Sequence, residues 1–411
     1  MFDGDEGNLY SSQSIQTCKE VAGLMSVTAN IMTGQTNNNA APVVFDSLAG
    51  SYMMSLPETR VSSDTFMAAR MSMEDSSSFS TLFKRLEKYS VPKDSGIALI
   101  SASFPIDFYY KKDDTIIREG ILTSGTLNSG NLGSAHNSIV QAIYKDYGQE
   151  RTVVFLTDIY RIAGVFMNDH SLSVSMADCY LSDKTGNLAI RSEIERAKML
   201  TKAMGAKSND PLEEERREKQ IRGYLDTAKN FGSKISKEQL DKNNSFNIMA
   251  LSGAKGSVVN ISQITGLLGQ QFMGGERPAE TMSKGTRVLP YFRPGELDPA
   301  ARGFIENSYL TGLTPAEMFF ALAGARPSVV ESSTKISTVG TIHRNLTKAM
   351  ENIKIVDDGS VRNGTGVIYQ FCYEDGFDPS MLELTTTKSG TFTSFINLER
   401  IAGKINSKYG F

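Results

Sequence analysis

The stretch Thr314-Pro315-Ala316-Glu317 constrains this chain more than any other, because it fixes where a long helix begins. A threonine hydroxyl at the N-cap accepts from an amide three residues on, and a glutamate at the third helical position reaches back to the cap amide. Proline at the first helical position gives up no hydrogen bond there. The sequence therefore predicts a helix starting at Pro315. Pro327 cannot donate to the preceding turn, so a kink or break is expected near residues 324 to 328. Residues 329 to 353 then run without proline, about 38 Å of helix, enough to cross a cleft about as wide as a nucleic-acid duplex. Ile336, Val339, Ile342, Leu346, Met350 and Ile353 form one apolar stripe, the usual pattern of a core helix. The rest of this helix is less usual. Ser332, Ser333, Thr334, Ser337, Thr338, Thr341 and Thr347 compete for backbone hydrogen bonds, so the helix is expected to bend easily.

With 411 residues and 40% hydrophobic content, the chain can bury several cores and is expected to hold two to four modules. Lys plus Arg total 43 against 46 for Asp plus Glu, so a net charge of -3 gives no general pull on nucleic acid, and any such contact is local. Cys18, Cys179 and Cys372 lie too far apart for a CxxC-type zinc site, and their odd number argues against a disulfide framework and for a reducing, intracellular compartment. No run of 18 apolar residues is present, and the opening residues carry no secretory pattern, so membrane insertion is not expected.

Along the chain, residues 13 to 32 and 42 to 54 have helical spacing, the serines at 76 to 78 mark a loop, and residues 97 to 110 and 115 to 122 read as strands. Helical periods follow at 136 to 147 and 152 to 167, then a strand at 172 to 176. Residues 190 to 231 are highly charged and helical, interrupted at 205 to 211, which predicts an exposed helical hairpin. After the prolines at 278, 290 and 294, a helical body is expected to resume near residue 304.

Two loops carry candidate chemistry. Phe2-Asp3-Gly4-Asp5-Glu6 puts carboxylates at i and i+2 around a glycine, which suits Mg²⁺ held with water and substrate phosphates, although Asp-Gly-Asp is also a common surface turn. Gly253-Ala254-Lys255-Gly256-Ser257 is a glycine-rich loop whose backbone can approach phosphates while one ammonium offsets their charge, although by itself such a loop is more commonly a turn with a surface lysine.

Taken together, several stretches resemble the largest (beta-prime-like) subunit of multisubunit DNA-directed RNA polymerases, in the form found in eukaryotes, archaea and large DNA viruses. The first is Met1 to Ser14, MFDGDEGNLYSSQS, which resembles that family's metal loop. The others are Gly253 to Ser257 with Asn260, Gln263, Gln270 and Gln271, the run Gly303 to Glu317, and residues 358 to 363 and 370 to 378. The resemblance implies an α+β multidomain chain. Its modules would be the end of a double-psi β-barrel with the metal loop over 1–40, a small mixed α/β pore module over 41–185, a helical funnel hairpin with the nucleotide-entry loop over 186–311, and the long bridge helix with the start of the cleft and foot over 312–411.

It further implies that Asp3 and Asp5 are catalytic carboxylates holding Mg²⁺, and that Lys255 meets the nucleoside triphosphate. Lys335, Ile336, Ser337, Thr338, Thr341, Arg344 and Lys348 would face template, nucleotide or DNA phosphate, with Asn260, Gln263, Gln270 and Gln271 supporting pore and bridge. Met1 stands where the family has its first metal aspartate, and a bulky aromatic is missing at Thr341. The expectation is an internal fragment of a split subunit, with a truncated reading frame as the alternative. It would work with upstream and downstream largest-subunit fragments and the second-largest subunit, on DNA template, RNA transcript and nucleoside triphosphates. A non-catalytic scaffold is the rival. A large DNA virus is the expected source, and virion, cytoplasm or nucleus the expected place.

Overall fold

The computed structural model describes residues 7, 9–75, 78–180, 184–241, 243–372, 382–387, 390–394 and 396–409. Two compact units divide the chain: residues 1–172, 251–255 and 373–411 form the first, and 173–250 and 256–372 the second. In chain order the first unit begins with α1 (Ile15–Leu24), α2 (Phe45–Ser55), α3 (Ser63–Ser72), α4 (Phe79–Lys88) and α5 (Gly96–Ser101). An antiparallel meander follows, β1 (Tyr110–Lys112), β2 (Thr115–Arg118) and β3 (Ile121–Ser124), then α6 (Ser129–Leu132) and the long α7 (Ile139–Asp169). The second unit carries α8 (Lys184–Ala203), α9 (Pro211–Gln239), α10 (Ser245–Ser252), α11 (Val258–Thr265), β4 (Gly269–Gln270), β5 (Phe304–Ile305) and α12 (Pro315–Ala349). It ends in a second meander, β6 (Ile353–Ile355), β7 (Val361–Asn363) and β8 (Ile368–Gln370). The hairpin β9 (Glu383–Thr387) and β10 (Gly390–Ser394), with α13 (Leu398–Tyr409), belongs to the first unit. The class is α+β, helices with small antiparallel sheets.

The first core is aromatic. Phe104, Phe108, Phe155 and Phe166 are fully buried, with the Phe104 and Phe155 rings 5.5 Å apart, and each such side chain stabilises the unit by roughly 1.5–3 kcal/mol. Helix α2 packs closely on α7 at Gly50, where an added Cβ would stand 3.1 Å from Met167 Cγ and push that side chain back. The two helices expected at 136 to 147 and 152 to 167 are the halves of α7, joined at Gly148 with a φ of 81°. Buried Asp158 on α7 accepts the amides of Glu74 (2.7 Å) and Asp75 (3.4 Å) and anchors the segment after α3. At the far end of the chain, Arg400 on α13 donates to Asp146 (2.5 Å) and Glu383 (2.8 Å), which ties α13 and β9 to α7.

The second unit is built on the expected helical hairpin. Ile190, Ile194 and Ala197 of α8 meet Ile221, Leu225 and Ala228 of α9, and Leu267 and Phe304 close the cluster. Asp210 caps α9 through the amide of Leu212 and Pro211 opens it; Glu213, Glu215, Arg216 and Lys219 are exposed, while Glu214, Arg217 and Glu218 are half-buried.

Several local expectations are corrected. Residues 97 to 110 are not a strand: Ser95 caps α5 by accepting from Ala98, turns follow, and only Tyr110 enters β1. Ala98, Leu99 and Ile100 are wholly buried, and a short run buried on every side shows no period that separates helix from strand. Residues 115 to 122 hold parts of two strands, because Glu119 and Gly120 take φ of 48° and 68° and turn the chain. The helix expected over 13 to 32 is shorter, ending at Leu24 without burying a residue. Residues 172 to 176 are irregular up to a 3₁₀ turn, Met176–Cys179, since the Ser175 and Asp178 side chains satisfy its end locally. Of the expected serine loop, residues 76 and 77 lie outside the described residues. No helix resumes at 304: Phe304 and Ile305 pair with Gln270 and Gly269. Helix α12 runs unbroken through Pro327, which removes one hydrogen bond from a ladder of 35 residues, and it ends at Ala349, so Ile353 leaves the stripe and starts β6.

Candidate functional site

The long helix begins where the capping sequence predicts. Thr314 Oγ1 accepts the Glu317 amide (3.4 Å), and Glu317 Oε2 accepts the Thr314 amide and hydroxyl (both 2.9 Å). The same carboxylate also takes the side-chain amide of Asn307 (2.9 Å) and the backbone amides of Glu306 (3.1 Å) and Asn307 (3.4 Å). Burial alone would raise its pKa, but the hydrogen bonds from Asn307 and Thr314 outweigh that and hold the carboxyl below the usual carboxylate range. One buried anion thus joins the strand-to-helix connection to the first turn of α12.

The next turns are held by packing. Phe320 is buried against Leu268 and Ile305, and its ring lies 6.4 Å from that of Phe292. At Gly324 an added Cβ would stand 3.3 Å from Gln271 Oε1 and 3.5 Å from the Phe272 carbonyl, so the helix passes close to the segment after β4. Gln270 is buried and donates through Nε2 to the carbonyls of Gln271 and Arg302 (2.8 Å each), and Gln271 donates to the Gly269 carbonyl (3.2 Å). Gln263 accepts the Tyr309 amide on its own carbonyl (3.0 Å). Asn260 is exposed on the first turn of α11, its amide bonded to the cap Ser257 (3.4 Å). Gln263, Gln270 and Gln271 therefore brace the connections on either side of β4, within the unit that carries α12.

Beyond this anchor the helix is bare. Every residue from 325 to 350 is exposed, about 40 Å of helix. The stripe expected to pack as a core does not do so among the described residues: Ile336 is 77% exposed and Val339, Ile342, Leu346 and Met350 are all more than half exposed. Six hydroxyls, those of Ser332, Ser333, Thr334, Thr338, Thr341 and Thr347, donate to the carbonyl four residues back, at 2.8 to 3.4 Å. Such bonds compete with the helical ladder and favour bending.

The seven candidate residues on α12 do not share one face. At about 100° per residue, Ser337, Thr341, Arg344 and Lys348 fall on the side opposite the apolar stripe, Thr338 falls at its flank beside Ile342, and Lys335 and Ile336 fall along it. Lys335 pairs with Glu331 (2.5 Å) and Lys348 with Glu351 (3.2 Å), both exposed, whereas Arg344 makes no ion pair among the described residues. Lys255 belongs to the first unit, where its exposed ammonium sits 5.4 Å from the centre of the Phe45 ring. Asp3 and Asp5 lie outside the described residues. Sequence reasoning found the cap but missed the reach of Glu317 to Asn307 and the close pass at Gly324. An Asn ten residues before a capping glutamate was the available signal for the first.

A long capped helix, exposed beyond its anchor and apolar along one side, is the kind of surface that marks interaction sites in proteins generally. The chain belongs to the RNA polymerase largest-subunit family: models described as RNA polymerase Rpb1 domain 3, domain 4 and domain 5 match residues 30–179, 192–305 and 312–406 in that order. It is 29% identical to a probable DNA-directed RNA polymerase II subunit RPB1 homolog of Invertebrate iridescent virus 6, over 99% of this chain and 42% of that protein. It is 28% identical to DNA-directed RNA polymerase subunit Rpo1N of Halobacterium salinarum, again over 99% of this chain and 42% of that one. DNA-directed RNA polymerase III subunit RPC1 of Homo sapiens is 29% identical over 93% of this chain and 30% of its own length. The chain therefore spans less than half the length of these relatives.

Proposed function

We propose that this chain forms part of the catalytic centre of a DNA-dependent RNA polymerase and is inactive alone. In this reading residues 1–40 close the active-site barrel, 41–185 are the pore module, 186–311 the funnel and nucleotide-entry loop, and 312–411 the bridge helix and the start of the cleft and foot. One observation carries it: α12 is fixed at its first turns by Glu317 and Phe320 and then projects about 40 Å with no cover among the described residues. A helix held at one end and pliable beyond suits an element that lies across a nucleic-acid cleft and shifts as the template advances.

Each residue set then has a task. Ser337, Thr338 and Thr341 offer small side chains beside the template and the incoming nucleotide, and Arg344 and Lys348 offset DNA phosphate charge. The apolar stripe seats the helix against the second-largest subunit or a neighbouring largest-subunit fragment. Lys255 offsets triphosphate charge from an exposed loop. Asp3 and Asp5 would hold Mg²⁺: hard carboxylate oxygens at i and i+2 fit that ion, which when bound stabilises charge on the attacking and leaving oxygens. The pieces would meet inside a cell, infected if the source is viral.

The test is RNA extension on a primed template by the polymerase purified through a tag on this chain, wild type against Asp3→Ala with Asp5→Ala. Extension by the wild type and none by a double mutant that still assembles supports the catalytic reading. Equal extension by both makes the chain a scaffold.

A further inference from the structure

Three arginines from separate segments of the second unit converge on one carboxylate. Glu218 of α9 receives Arg217 Nη2 (3.0 Å), Arg302 Nη1 (2.5 Å) and Arg277 Nη1 (3.3 Å). Arg217 is also chelated by Glu214, through Nε (2.8 Å) and Nη2 (2.7 Å), and Arg302 donates Nε to the Pro278 carbonyl (3.3 Å). Arg277 is the exception. Its side chain is only 5% exposed, the contact with Glu218 is its one hydrogen bond among the described residues, and its Nε is buried with no acceptor. A guanidinium has five donors, and leaving even one of them unmet in a buried site is costly. Burial, reinforced by Arg302, drives its pKa down to about 10, which still leaves it charged at neutral pH.

Beside these guanidiniums lies a cavity of about 230 Å³ lined by Arg217, Arg277 and Arg302, with Thr201, Lys207 and Thr286 among its other walls. Acids face it too, which limits the charge it takes. Asp298 is already paired with Lys202 (2.9 Å), Glu296 holds the Arg293 amide (2.9 Å), and Glu280 supports the Arg217 charge behind Glu214 and Glu218. The space is smaller than the roughly 300–1,000 Å³ of drug-sized ligand sites, so it does not fit a whole nucleotide.

We propose that this cavity binds a small phosphate-class oxyanion, orthophosphate or pyrophosphate, against the guanidiniums of Arg217, Arg277 and Arg302 and the ammonium of Lys207 that line it, Arg277 being the one of the three arginines with a single acceptor among the described residues. The site stands independently of the catalytic reading, since none of its residues belongs to the metal loop or α12.

The test is equilibrium dialysis of radiolabelled orthophosphate and pyrophosphate against the full 411-residue chain, with sodium chloride at matched ionic strength as control. Wild type, Arg277→Gln and Lys207→Ala are compared, with circular dichroism to check folding. The expected result is saturable binding of one or both anions near one per chain, weakened about tenfold or more in Arg277→Gln and about threefold in Lys207→Ala. The stronger ligand tells which anion the site takes. If Arg277→Gln fails to fold, Lys207→Ala decides, because its side chain is exposed and holds no core contact. Absence of saturable binding, binding abolished by chloride at equal ionic strength, or unchanged affinity in the folded variants overturns the proposal.

Discussion

Glu317 Oε2 accepts the side-chain amide of Asn307 at 2.9 Å, ten residues earlier, while Oε1 takes the amides of Glu306 and Asn307. The long helix is therefore fixed to the segment that precedes it by a carboxylate that also serves as its cap. Removing it leaves several half-buried donors without their acceptor. Glu317→Ala is expected to destabilise the chain by about 2–4 kcal/mol and Glu317→Gln by less, since an amide oxygen keeps part of the network. Urea denaturation of the full chain checks this, and equal midpoints for Glu317→Ala and wild type would refute the coupling.

Pro327 sits inside an unbroken helix, where it denies the ladder one donor. Pro327→Ala is expected to raise stability by about 1–3 kcal/mol, read as an increase in Tm and in helical circular dichroism. No gain would mean that the turn before Ser328 is already open in solution.

The hydroxyls of Ser332, Ser333 and Thr334 turn back onto the carbonyls of Ser328, Val329 and Val330. Replacing all three by alanine is expected to stabilise the helix by roughly 1–2 kcal/mol in total and slow amide exchange over residues 328 to 341. If bending serves translocation, the assembled polymerase carrying this triple variant should elongate RNA more slowly despite its greater stability.

Arg344 and Lys348 stand one turn apart on the face away from the apolar stripe. In the assembled complex, changing both to alanine is expected to weaken DNA binding about equally across sequences and to reduce the salt dependence by about two phosphate contacts. An unchanged slope of affinity against salt would remove these residues from the interface.

Acid should loosen the second unit in a defined window. Glu214 is held down to about 2, foremost by the Arg217 hydrogen bonds, and Glu317 is also below the usual range. Carboxyls depressed in the folded state contribute stability that is complete above their unfolded pKa of about 4.3 and is lost as pH falls toward the folded value. Denaturation midpoints should therefore hold from pH 7 to about 5 and decline between about 5 and 2, with Glu214→Gln losing a part worth no more than about 1 kcal/mol after solvent screening. A flat profile across that window would contradict the pairing.

What the sequence by itself determined is what neighbouring residues decide between themselves. Thr314, Pro315 and Glu317 set the start of α12, Asp210 and Pro211 the start of α9, and Gly148 the bend in α7, because each acts through hydrogen bonds or dihedrals within a few residues. The motifs around Lys255, Gln270 and Gly303 carried the family for the same reason, being contiguous strings. Only the tertiary structure decided the rest. The run Ala98-Leu99-Ile100 became helix rather than strand because a segment buried on all sides has no polar face to reveal its period. Arg277 lies 59 residues from Glu218 and Arg302 lies 84, so their meeting depends on how α9 and the loops after β4 fold together. The stripe on α12 could be read as apolar, but its exposure follows from which surfaces the rest of the chain leaves uncovered, and no local pattern records that.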